Sequence, residues 1–170
     1  MDFTTALKFQ YHAALEYLLL VIEGCPDDRW DDPRDRDAPF WRVVYHTLFY
    51  THFYCQQGYE SFTPWEYHQK GANDLGDELA DGDWKPAVCK PYTREQLLSY
   101  WRFCDNSIDG WVDAIDLSAQ DSGFPWYPGI PKVEHQLINL RHIQHHTGAL
   151  VSRLRREEHV VTAWVGRAKR

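Results

Sequence analysis

Three histidines carry the strongest chemical signal in this chain. His142 and His146 lie four residues apart within Arg141-His142-Ile143-Gln144-His145-His146, so on a helix they stack on one face and two imidazoles can grip a single ion from adjacent turns. His142 and His145, three apart, form a second candidate pair, although His145 points about 100° away from His146 around a helix. A lone His-x-x-x-His arises often by chance. His46 strengthens it, because it falls on an apolar stripe of a different segment and supplies a third imidazole. Three neutral nitrogen ligands leave positions on a divalent ion open for water or substrate, the arrangement of a reactive site. Such an ion keeps its full double charge and strongly lowers the pKa of a bound water or thiol. The plainer alternative makes His46 a core histidine bonded to a neighbour and leaves the other two partly exposed. Against it, three buried imidazoles without a metal leave several polar nitrogens to satisfy.

Four long amphipathic segments must position these rings. The first runs from about Thr5 to Ile22, with Gly24 and Pro26 as its stop, followed by a polar connector from Asp27 to Asp37 anchored by Trp30. Asp37-Ala38-Pro39 opens a second helix, since proline suits the first turn and an acidic residue suits the positive dipole end. Phe40, Val43, His46, Tyr50 and Phe53 form its stripe, and Gly58 closes it. Pro64, Gly71, Gly76, Gly82, Pro86 and Pro91 break the stretch that follows. Thr93-Arg94-Glu95-Gln96 has the form of a capping box and starts a third helix that runs to about Ile115. A Gly- and Pro-rich aromatic loop from Ser118 to Pro131 leads into a fourth helix, from about Lys132 to Glu157, with Arg153, Arg155 and Arg156 near its negative dipole end.

No alternating strand pattern competes, so the expected fold is an all-α four-helix bundle of one domain over residues 1–170. The connection between the second and third helices is long enough to cross the bundle. Those two helices are therefore expected to run parallel, giving an up-down-down-up order in place of a simple up-and-down one.

A chain that is 44% hydrophobic and 25% charged is that of a folded globular protein. Its net charge of −7 argues against a nucleic-acid partner, which needs a basic face. No run approaches the ~20 apolar residues of a membrane span, and Met1-Asp2-Phe3 lacks a cationic signal start. Cys25, Cys55, Cys89 and Cys104 are widely spaced and read as reduced structural thiols. The expected location is cytoplasmic.

The layout resembles the DinB-like, or YfiT-like, family over nearly the whole chain. The resemblance rests on the second-helix stretch Trp41-Arg42-Val43-Val44-Tyr45-His46-Thr47-Leu48 and the fourth-helix stretch Leu140 to Leu150. That family's fourth-helix motif commonly reads His-x-x-x-His-Arg-Gly-Gln. Its metal ligands are the second-helix histidine and two fourth-helix histidines, which match His46, His142 and His146. Thr147-Gly148-Ala149 stands where Arg-Gly-Gln is common, so any role of that Arg or Gln is not carried over. The resemblance implies a nickel or zinc ion, a homodimer, and a small-molecule substrate such as a low-molecular-weight thiol in transferase-like chemistry, whereas the open metal alone suggests hydrolase-like chemistry. The rival reading is a non-catalytic dimeric scaffold with a structural or vestigial metal.

Other signals are weaker. There is no His-Glu-x-x-His, no phosphate-cradling glycine loop and no Gly-x-Ser-x-Gly elbow. Histidine-ligated haem is disfavoured because two ligands one turn apart cannot take opposite axial positions. His12 and His135 are candidates for outer-sphere or surface roles, and Glu66, Glu134 and Tyr127 for proton carriers. The aromatic loops Trp65-Glu66-Tyr67-His68 and Phe124-Pro125-Trp126-Tyr127 either wall a pocket beside the ion or cap the bundle ends.

Overall fold

The computed structural model describes residues 2–32, 38–75 and 87–168. Pro33 to Asp37 of the connector, and Gly76, Gly82 and Pro86 of the crossover, lie outside the described residues. Four helices, α1 (Phe3–Gly24), α2 (Phe40–Tyr54), α3 (Arg94–Ala114) and α4 (Lys132–Glu157), make an all-helical structure with no strand among the described residues. None of these helices is long and apolar enough to cross a membrane. The four cysteines are unpaired, three of them buried.

Local chemistry sets the helix ends. The Asp2 carboxylate accepts from the backbone N–H of Thr5 at 2.7 Å, which starts α1 two residues earlier than its apolar pattern implies. At α3 the capping box is complete: Thr93 Oγ1 accepts from Gln96 N at 3.2 Å, and Gln96 Oε1 accepts from Thr93 N at 2.8 Å. Pro39 stands one position outside α2 with extended backbone, not inside its first turn.

The end of α2 corrects the sequence reading. The helix stops at Tyr54, four residues before Gly58, and its last four carbonyls find partners without a glycine cap. Thr51 O accepts from Cys55 N, Phe53 O from Gln56 N, and His52 O from the Gln56 side chain. Tyr54 O accepts from Gln136 Nε2 at 2.8 Å, reaching across from α4. Gly58 is instead used where the chain passes Gly123: Tyr59 N donates to Gly123 O at 2.9 Å. Gly123 has φ +79°, and a Cβ there would lie 2.3 Å from Gln57 O, so glycine is required.

The helices pack as a closed ring of neighbours, with α1 against α3 and α4, and α2 against α3 and α4. Contacts along α2 and α4 run in opposite sequence order, from His46 with His146 to Tyr54 with Gln136. Contacts along α2 and α3 run in the same order, from Tyr45 with Tyr100 to His52 with Trp111. The core between them holds Tyr11, Leu15 and Leu18 of α1, Val44, Tyr45 and Leu48 of α2, Leu97, Tyr100, Cys104 and Ile108 of α3, and Ile143, Leu150 and Leu154 of α4.

Side chains of α4 that reach backbone carbonyls of α2 and its exit fix the α2/α4 register. Asn139 Nδ2 donates to Thr51 O at 3.3 Å, Gln136 to Tyr54 O, and the fully buried Lys132 ammonium to Gln56 O and Gln57 O at 2.6 and 2.9 Å. A third bond from Lys132 goes to Ser122 O at 2.8 Å, so all three of its donors are used. Lys132 also places positive charge at the negative dipole end of α2. This ladder holds one half of the α2/α4 seam, and the other half carries His46, His142 and His146.

Candidate metal centre

His46 sits near the middle of α2, two residues before Leu48 of the core, while His142 and His146 occupy successive turns of α4 on the face toward it. Antiparallel packing at the register just described brings the three rings together. The Nε2 of His142 lies 2.9 Å from Nε2 of His46 and 3.1 Å from Nε2 of His146. One ring nitrogen from each residue falls within 4.8 Å of the others, and all three side chains are half-buried. This is the one His/Cys/Asp/Glu group among the described residues with metal-binding geometry. His145 is exposed, with its ring 4.9 Å from that of His146, and stands outside the group.

The rings are held neutral. Burial pushes His46 down from its ordinary value to about 4, against the opposing hydrogen bond to Asn73 and the charge of Asp74. Burial lowers His142 to about 2, reinforced by neighbouring His46, His146 and His145, and lowers His146 to about 3 for similar reasons. Neutral imidazole is the form that donates a lone pair to a metal. The tautomer of His46 is also set, since its Nδ1 donates to the backbone carbonyl of Asn73 at 2.7 Å and leaves Nε2 facing the other rings. Sequence reasoning missed Asn73, because a backbone carbonyl in a broken crossover carries no residue-type signal.

Aromatic rings flank the cluster. Tyr50, one turn after His46, lies 4.7 Å from the His46 ring and 5.3 Å from that of His142. Tyr54 is 6.3 Å from His142 and 5.9 Å from Tyr127, which joins the loop between α3 and α4 to the site's edge. The other aromatic loop caps the core instead: Trp65 is buried and stacks on Tyr100 at 4.5 Å, while His68 bonds the Tyr45 hydroxyl at 2.6 Å. Glu66 and Glu134 are exposed, and Glu134 lies about 12 Å before His142 along α4 at the helical rise.

The remaining flagged histidines lie elsewhere. His12 is buried between α1 and α3, with Nδ1 2.6 Å from Asp105 and Nε2 3.1 Å from Asp109. His135 is fully buried, stacked on Phe124 at 4.6 Å, and neither of its ring nitrogens has a partner. No protein-family model, curated protein or solved structure matches this chain.

Proposed function

We propose that this chain is a DinB-like metalloprotein that binds one divalent ion through His46, His142 and His146 and uses it as a metal-dependent enzyme on a small molecule. The observation that carries the reading is the convergence of three neutral imidazoles from two helices on a common point. The Nε2 spacings are close to the ~3 Å between adjacent nitrogen ligands on an ion bound at about 2.1 Å. An all-imidazole donor set suits zinc, nickel, copper and iron alike, and the family resemblance favours nickel or zinc among them. The up-down-down-up order of the DinB-like arrangement is supported by the opposite contact order along α2 and α4 and the shared order along α2 and α3.

The bound ion supplies Lewis acidity and lowers the pKa of a water or thiol. The chain's own residues hold the site for that chemistry. The Asn73 carbonyl orients His46, burial keeps the ligands unprotonated, and the rings of Tyr50 and Tyr54 wall it. With nitrogen ligands alone, open coordination positions suit a low-molecular-weight thiol in an S-transferase-like reaction, or a water in a hydrolase-like one. The reading places the protein in the cytoplasm as a homodimer, with no nucleic-acid partner given its acidic charge.

Metal analysis of purified protein tests this. One ion per chain is expected in the wild type and none in His46→Ala. Unchanged metal content in His46→Ala removes His46 from the site. Stoichiometric metal with no position open to exogenous anions, read as an unshifted spectrum of the cobalt form on adding azide, supports the non-catalytic scaffold instead.

A further inference from the structure

The stripe of α4 that faces α2 contains an uncommon coincidence. His142 Nδ1 is buried without a hydrogen-bond partner, and so is Oδ1 of Asn139, three residues earlier on the same face. Residues at that spacing are neighbours on a helix surface, with Cβ atoms about 5–6 Å apart. Asn139 is fully buried, and the other end of its amide is anchored: Nδ2 donates to Thr51 O at 3.3 Å and to Cys55 Sγ at 3.5 Å. Its oxygen is the end left over.

We propose that Asn139 is the positioning residue of His142, its Oδ1 accepting the Nδ1–H of that ring through one bridging water. The inference rests on the three-histidine reading above. His142 presents Nε2 to both other rings, so when that nitrogen is a ligand the ring proton resides on Nδ1 and needs an acceptor. His46 already has one in the Asn73 carbonyl. A ligand whose second nitrogen is unbonded turns freely about its ring axis and loses basicity, and Asn139 supplies the acceptor that prevents this. His135, four residues before Asn139 and also without partners, is the competing donor. Its tautomer is not dictated by any ligand role, whereas that of His142 is.

The test is cobalt(II) binding by the intact chain, with proton NMR of the paramagnetically shifted imidazole N–H signals. The wild type is expected to show slowly exchanging N–H signals from both His46 and His142. Asn139→Leu, which removes the acceptor at similar volume, is expected to weaken cobalt binding 10- to 100-fold and to speed exchange of the His142 signal alone. Asn139→Asp, which keeps the acceptor, restores both, and His135→Phe changes neither. If Asn139→Leu does not fold, the wild-type spectrum still decides: a His142 N–H that exchanges with bulk water as fast as an exposed imidazole overturns the proposal. Unchanged affinity and exchange in a folded Asn139→Leu overturn it too, as does an equal loss in His135→Phe. A wild type that binds no cobalt overturns the three-histidine reading, and this inference with it.

Discussion

Nδ1 of His46 lies 2.7 Å from the backbone carbonyl of Asn73, and that contact decides which nitrogen of the ring faces the other two histidines. A carbonyl can only accept, so the proton is on Nδ1 and the lone pair is on Nε2. The crossover between α2 and α3 thereby shapes the site through a backbone carbonyl, and its described residues add no ligand to the converging group.

The position of His145 makes the ligand set testable on α4 alone. Its ring is exposed and outside the converging group, although it is adjacent to His146 in sequence. His145→Ala is expected to retain one ion per chain, whereas His142→Ala and His146→Ala each lose it. Metal content after dialysis, with circular dichroism confirming helicity, checks this. Loss of the ion in His145→Ala would exchange one of the assigned ligands.

Acid should destabilise the metal-free protein. His46, His142, His146, His52 and His135 all have folded pKa values depressed by burial below the ordinary 6.5, to between about 2 and about 4. Between those values and 6.5 the unfolded chain binds more protons than the folded one, so stability is complete above pH 6.5 and is lost as pH falls below it. For the buried His52 and His135 the loss at pH 5 is on the order of 1–2 kcal/mol each. Urea midpoints at pH 7.5 and pH 5 should differ accordingly, and His135→Phe should reduce the difference. Equal midpoints at the two pH values would contradict the neutral burial of these rings.

Lys132 is a fully buried cation whose three donors all end on carbonyls, those of Gln56, Gln57 and Ser122. Lys132→Met keeps the aliphatic length and strands three acceptors. The expected cost is about 2–4 kcal/mol, read as a lower thermal midpoint. The bonds to Gln56 O and Gln57 O are rungs of the ladder that sets the α2/α4 register, so metal affinity should fall in the same variant.

Thr93 shows what the sequence made legible. The spacing of a hydroxyl and a Gln three residues later names a capping box, and both of its bonds form. Thr93→Ala should cost about 1 kcal/mol without altering metal content. Periodicity puts His46 on the inward stripe of α2 and leaves His146 and His145 as rival partners of His142 on α4; the family resemblance selects the three that converge. Contacts that depend on tertiary placement were not legible. The end of α2 at Tyr54 depends on a Gln136 side chain from another helix, the burial of Lys132 on three distant carbonyls, and the pairing of His12 on two aspartates of α3. None of these partners leaves a local pattern.

The two aromatic loops looked alike in sequence and are used differently, which gives them opposite expected phenotypes. Trp65 is 6% exposed, lies flat on Tyr100 at 4.5 Å and contacts Tyr92, so it fills the core beside α3. Trp65→Ala should cost about 3–5 kcal/mol and leave the affinity of refolded protein for metal unchanged. Trp126 is 49% exposed, sits against Phe53 at 5.8 Å and neighbours Tyr127 at the edge of the site. Trp126→Ala should leave stability within about 1 kcal/mol of the wild type and should change access to the ion, measured as the rate at which a bulky chelator strips it. Equal stripping rates in both variants would make the second loop a cap like the first.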